Sequence, residues 1–209
     1  YIFYTGGLKA PNRFVTLIEE NEKSILEIGS GTGLFAYETA KDLTRKIVAS
    51  EFNNGAREWS MSHRSRNNIQ YCQYPLSKFS CDEFDLVVTI EVIEHLDNYS
   101  SFLNDLSLVA PTLIVTTPNK NRSPFDSIEN TPMYGEHCRE WTAGEFYWVL
   151  RCFFDQVDLY TIPDLKKQIN NLKLNNTYIP QVSGCGILTK EHILIARCQR
   201  PSRLLSNGV

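Results

Sequence analysis

Four side chains in this sequence could move protons or hold a cation. Glu91, Glu94 and His95 stand at i, i+3 and i+4 in the stretch EVIEHL, and His137 follows in GEHCREWTAGEF. If EVIEHL turns helical, its three side chains point to one side. Two carboxylates and two imidazoles that converge suit a divalent cation such as Mg, Mn or Co. Such an ion can bind acceptor oxygens and lower the pKa of a hydroxyl. A second chemistry needs no cation: His95 acts as a general base, because an unperturbed imidazole titrates near neutral pH. In a third arrangement Glu91 and Glu94 only cap or salt-bridge a helix start, and His95 lines a pocket. The residues alone leave all three open.

A second group of residues would bind rather than react. ILEIGSGTGLF places Gly29, Gly31 and Gly33 directly after an apolar run and before a helical pattern. That is the setting of a ligand-binding glycine turn. Leu34 stands where a dinucleotide fold wants its third small residue, and no Lys-Ser/Thr pair follows, which excludes a P-loop. Glu27 precedes the loop, and Glu51 ends the next apolar run roughly 20 positions beyond it, where an acid accepts ribose hydroxyls. An acid in the loop's own strand is a poor neighbour for pyrophosphate and a good one for a cationic ligand. Glu51 thus argues for a nucleoside and Glu27 for a cationic ligand, while a tight strand–helix turn that holds no ligand stays open.

Such residues need a frame. SILEIG (24–29), KIVASE (46–51), NIQYCQY (68–74), FDLVVTIEVI (84–93) and TLIVTTPN (112–119) read as strands, with the fourth the clearest. LFAYETAKDL, NGAREWSMSHRS and LNDLSLVA read as the helices between them. Continuous apolar strands separated by helices predict an α/β fold, a mostly parallel sheet covered on both faces. EVIEHL then falls at the carboxyl edge of that sheet, where open α/β sheets bind ligands. Residues 119–140 read as a long loop or lid near the site, to which we assign Tyr134 and His137. TAGEFYWVLRCFF (142–154) reads as a helix with Thr142 as N-cap and Glu145 at capping-box spacing. QVDLYTI and HILIARC are two more candidate strands, joined by a peripheral insert containing KKQINNLKLNN. Tyr1, Phe3, Tyr4, Trp141, Phe146, Tyr147 and Trp148 could wall an acceptor pocket, but aromatics at helical spacing belong more often to a core.

The bulk composition narrows the partners. The chain has 209 residues, 42% hydrophobic and 22% charged, which describes a globular protein with a full core. A net charge of -3 gives no basic field and argues against a nucleic-acid partner. No apolar run approaches the roughly 20 residues of a membrane span, and no signal-peptide pattern is legible. The six cysteines lack any C-x-x-C pair, so free thiols in a reducing cytoplasm are expected. The chain begins at Tyr1 rather than Met, as a trimmed piece or a part of something longer would.

LEIGSGTG, Glu51 after an apolar strand, FDLVVTIEVIEHL and LIVTTPN occur in the order of class I S-adenosylmethionine-dependent methyltransferases, which this chain resembles over about residues 22–160. The resemblance implies a Rossmann-like, seven-stranded, mostly parallel sheet in one domain over 1–209. The cofactor half would span about 22–118 and an acceptor or lid region about 119–185. It implies S-adenosylmethionine contacts from Glu27, Gly29, Ser30, Gly31, Gly33, Glu51, Phe52, Gln73, Tyr74 and Glu91. Many members carry an acid for the adenine amine after the third strand. Here Gln73 and Tyr74 occupy that stretch, with Leu76 nearby. The E-x-x-E-H pattern resembles ubiquinone-biosynthesis-type O-methyltransferases, and a small-molecule or glycan hydroxyl is the expected acceptor. It also resembles small-RNA 2′-O-methyltransferases, whose later His before E-W-T is similar to His137. In that family Glu91, Glu94, His95 and His137 would ligate a divalent metal. A non-catalytic cofactor-binding module is a further alternative. Between metal and base, the sequence reading leans to the metal-free His95.

Overall fold

The computed structural model describes residues 14–120, 135–160 and 193–200. Seven strands form one sheet: β1 Ser24–Ile28, β2 Lys46–Ser50, β3 Ile69–Cys72, β4 Leu86–Thr89, β5 Thr112–Pro118, β6 Gln156–Tyr160 and β7 Ile193–Gln199. Their spatial order is β3-β2-β1-β4-β5-β7-β6. The first five run parallel, with Ile28 beside Ser50 on one flank and Thr89 on the other. β7 is antiparallel to both β5 and β6. The order reverses between β1 and β4, so the carboxyl ends of these two strands diverge into a crevice, the ligand position of an open α/β sheet.

Alternation along β1 shows why both faces need cover. Leu26 and Ile28 enter one core with Val87, Leu113, Val115 and Ala196, roofed by Leu103, Leu106, Phe146 and Leu150. Ile25 enters the other with Ile47, Ala49, Leu86, Val88 and Ile114, roofed by Phe14, Leu17, Phe35 and Ala36. The roofing helices are α1 Leu34–Thr39 on the second face, with α3 Tyr99–Val109 and α4 Ala143–Arg151 on the first; α2 Asn54–His63 joins β2 to β3. Strands buried on both faces read as unbroken apolar runs, which is why they were legible.

Several boundaries differ from the sequence reading, four of them with consequences or causes that can be named. The fourth strand stops at Thr89, well short of 93. Glu91 adopts φ 54, a left-handed conformation that breaks a strand, and Ile93–His95 forms a single 3-10 turn. α1 ends at Thr39 because Asp42 accepts from the Thr44 N–H at 3.0 Å, a local turn that competes with further helix. α3 begins at Tyr99, four residues earlier than expected, because the Asn98 side chain caps the Ser101 N–H. α4 occupies 143–151 with the expected capping box, Thr142 and Glu145 each holding the other's backbone N–H. Trp141 and Phe146 are core residues, while Trp148 is exposed. Among the described residues all five cysteines are unpaired, and no helix is long and apolar enough to cross a membrane. Tyr1, Phe3, Tyr4, Tyr134 and the KKQINNLKLNN insert lie outside the described residues.

Candidate active site

The glycine loop is lashed to β2. The N–H groups of Gly29 and Ser30 both donate to the Ser50 carbonyl, at 2.9 and 3.1 Å. Glu51, almost fully buried, accepts from the Gly31 N–H through Oε2 and the Asn53 N–H through Oε1, each at 2.7 Å. These two bonds fix the carboxylate at the strand end and leave each oxygen a further lone pair toward the crevice. Glu27 lies on the α1 side of β1, fully buried, and accepts from the Ala36 N–H at 3.2 Å. It thereby caps α1, whose own N-cap, Gly33, has no side chain to do so. Burial pushes its carboxyl up to about 8, the Ala36 bond opposes this, and the nearby Glu51 charge adds to it. A buried acid in that state is stabilised by an incoming cation.

The glycines divide by what they face. A Cβ on Gly29 would meet Val92 Cγ2 at 2.4 Å, so that glycine is required by the fold. Gly31, at φ 52, has nothing within 4 Å of a Cβ; its small size leaves open space for a ligand to approach. Ser30 Oγ and Thr89 Oγ1, the latter at the carboxyl end of β4, are buried hydroxyls with no hydrogen-bond partner among the described residues. Buried polar groups are seldom left so, and both border the crevice. Farther along the edge Phe52 is 57% exposed and Tyr74 42% exposed. Large aromatics at the ends of β2 and β3 are available to stack on a flat ring. Gln73 is also exposed and donates through Nε2 to the Phe52 carbonyl at 3.3 Å, leaving its amide oxygen to accept. The two acids and the exposed rings fit a cationic nucleoside, while Arg64 and Arg57 are spent on the Thr32 and Glu51 carbonyls.

The acceptor side does not form the helical face the spacing suggested. The turn at Glu91 sends that side chain to β5, where Thr116 Oγ1 donates to Glu91 Oε1 at 2.8 Å and accepts from the Glu91 N–H at 3.0 Å. Glu94 is 1% exposed and accepts from Thr117 Oγ1 at 3.4 Å. Burial foremost, then the charges of Glu91 and Glu140, hold its carboxyl well above the ordinary range. His95 Nε2 lies 3.9 Å from Glu94 Oε1. Its Nδ1 meets the Glu136 carbonyl at 3.0 Å, an acceptor only, so in the neutral ring Nδ1 carries the proton and Nε2 the lone pair.

His137 arrives from the other side. The N–H groups of Cys138 and Arg139 donate to the Glu94 carbonyl, at 2.7 and 3.2 Å, and tie the strap 136–140 to the turn. The two imidazoles meet edge to face, centroids 4.9 Å apart. One ligand atom each from Glu94, His95 and His137 lies within 4.8 Å of the others. Glu91 is not in that set, though its charge reaches Glu94. Thr116 and Thr117 were not singled out from the sequence, and Glu140 entered only through the H-x-x-E-W-T resemblance, without a role of its own. The two threonines are ordinary strand residues there, and only the H-x-x-E spacing of His137 and Glu140 offered a signal.

Sheet order, glycine loop and acidic strand ends define a class I methyltransferase fold. The chain belongs to the methyltransferase-domain family, whose model matches residues 8–153. It is 27% identical over 129 residues to a probable S-adenosylmethionine-dependent methyltransferase of Mycolicibacterium smegmatis, covering 59% of this chain and 48% of that protein. It is 28% identical over 120 residues to the ubiquinone biosynthesis O-methyltransferase of Rickettsia akari, covering 54% and 45%. The chain thus spans about half the length of these curated relatives. Among solved structures, the methyltransferase domain of a bacterial CtHen1 superposes with TM-score 0.64 at 21% identity, over 92% of this chain and all of that one. The relatives and the donor set together support S-adenosylmethionine as the cofactor.

Proposed function

We propose that this chain transfers a methyl group from S-adenosylmethionine to a hydroxyl of a small molecule or glycan, and that Glu94, His95 and His137 hold a divalent cation beside that hydroxyl. The observation that carries the reading is the meeting of these three side chains within 4.8 Å around a buried, destabilised carboxylate. Neutral imidazoles and a carboxylate are the ligand set of Mn, Fe, Co or Zn. The geometry thus moves the balance from the metal-free base toward the cation.

Bound in the crevice, S-adenosylmethionine supplies a methyl on a positively charged sulfur. A cation at the cluster would lower the pKa of a coordinated hydroxyl. The protein's own share is placement. Glu51 would accept the ribose hydroxyls on its remaining lone pairs, Glu27 would face the cationic end, and Phe52 and Tyr74 would flank the adenine with Gln73 accepting from its amine. Gly31 would lie against the methionine part. Glu94, His95 and His137 would fix the cation that orients the acceptor oxygen toward the methyl, and such positioning can supply much of the rate. We read the chain as one domain, with this cofactor half followed by an acceptor region from about residue 119.

The second reading is RNA 2′-O-methylation. It is supported by the junction of His137 with Glu94 and His95, which the resemblance to small-RNA enzymes implies. The net charge of -3 opposes it. The test is methyl transfer from labelled S-adenosylmethionine to a panel of phenols, sugars and RNA oligonucleotides, with and without chelator. Chelator-sensitive transfer to phenols or sugars supports the first reading, and transfer to RNA alone replaces it with the second. Cofactor binding without transfer to any acceptor would instead favour a binding module.

A further inference from the structure

Glu140 is buried, and its Oε1 lies 2.6 Å from His137 Nδ1. Its backbone is fixed on both sides. Upstream, the Cys138 and Arg139 N–H groups hold the Glu94 carbonyl. Downstream, Trp141 is fully buried, pairs with Asn119 and accepts from the Lys120 N–H at 2.9 Å. The first turn of α4 does not draw on Glu140, since Thr142 and Glu145 cap it. The carboxylate therefore stands on Nδ1 of His137, within a strap that leaves it little freedom.

We propose that Glu140 is the positioning residue of this site: it holds His137 with the proton on Nδ1 and the lone pair on Nε2, aimed at the place shared by Glu94 and His95. The same strap does this twice, because the Glu136 carbonyl sets His95 in the same tautomer. The two acceptors differ in one respect. A carbonyl fixes only the proton, whereas a carboxylate also makes the ring a stronger electron-pair donor. Glu140 further adds negative charge that reaches Glu94, so it would favour a cation without ligating one. The consequence for metal affinity rests on the reading given under Proposed function, but the tautomer exists without any ion.

The experiment uses the full chain, unmodified and with Glu140→Gln or Glu140→Ala. Nitrogen NMR of the labelled imidazoles, at mildly alkaline pH and without metal, reports which ring nitrogen of His137 is protonated. The inference predicts a protonated Nδ1 in the unmodified chain and in Glu140→Gln, whose amide oxygen still accepts. It predicts a shift toward protonated Nε2 in Glu140→Ala. A protonated Nε2 in the unmodified chain, or a tautomer unchanged by Glu140→Ala, would overturn it. If Glu140→Ala does not fold, Glu140→Lys decides in its place, since its ammonium cannot accept from Nδ1. Titration with Co(II), followed by its visible absorption, is the second readout. Glu140→Ala should bind Co(II) about 10–100-fold more weakly, Glu140→Gln less so, and both should keep the affinity for S-adenosylhomocysteine. Should the unmodified chain take up no Co(II), the cation reading fails while the tautomer result still decides this inference.

Discussion

Replacing Glu27 with Gln should stabilise the cofactor-free protein at neutral pH and weaken cofactor binding. The buried carboxyl titrates at about 8 in the fold, against an ordinary value of 4.5. Between these two values the folded protein keeps a proton that the unfolded chain has released. Stability from this group is therefore complete below pH 4.5 and is lost as pH rises through 8. Each pH unit within the window costs about 1.4 kcal/mol, and the whole window is worth on the order of 5 kcal/mol. Gln is close in shape and cannot ionise, and its amide oxygen can still accept from the Ala36 N–H. Urea denaturation of both proteins between about pH 5 and 8 checks this. The wild type should lose ground to Glu27→Gln by about 1.4 kcal/mol per pH unit. Other groups, Glu94 included, are present in both proteins and cancel in the difference. Parallel stability curves would mean instead that the carboxyl titrates alike in the folded and unfolded states.

Glu51→Ala removes the acceptor of two backbone N–H groups along with the ribose contact, so S-adenosylhomocysteine affinity measured by calorimetry should fall by about 1.5–3 kcal/mol. Gly29→Ala and Gly31→Ala should part ways. The first drives a methyl into Val92 and should cost about 1–3 kcal/mol of stability by denaturant melting. The second meets open space and should cost only about 1 kcal/mol of backbone strain, while a Gly31→Val side chain should abolish calorimetric cofactor binding. Chelator should suppress methyl transfer and Mn or Co should restore it. Alanine at Glu94, His95 or His137 should then cost similar factors in kcat, since ligands of one ion act as a unit.

The parts of the molecule read correctly from sequence are those whose signal is local. Strands β1, β2 and β5 are apolar because the sheet is covered on both faces, and the Thr142–Glu145 box lies within four residues. The turn between β1 and α1 and the place of Glu51 at the end of β2 were legible for the same reason. What was missed depends on contacts distant in sequence. Nothing local shows that Glu91 must turn left-handed, because the cause lies in Thr116 on β5 and in Val92 packed over Gly29. EVIEHL therefore read as strand followed by helix, and it is a turn. That turn separates Glu91 from its two neighbours and lets His137, more than 40 positions away, take a place beside them. Glu140 was visible only as a letter of H-x-x-E-W-T, because a carboxylate acting through another side chain has no chemistry of its own to announce.

One crevice would hold S-adenosylmethionine against Gly31 and Glu51 and a divalent cation among Glu94, His95 and His137. A crystal structure grown with S-adenosylhomocysteine and Mn(II), with anomalous data collected for manganese, tests both halves together. Ribose hydroxyls are expected on Glu51, with an anomalous peak within bonding distance of all three cluster side chains, about 2.0–2.3 Å. S-adenosylhomocysteine bound in the crevice, with no manganese at the cluster, would contradict this expectation.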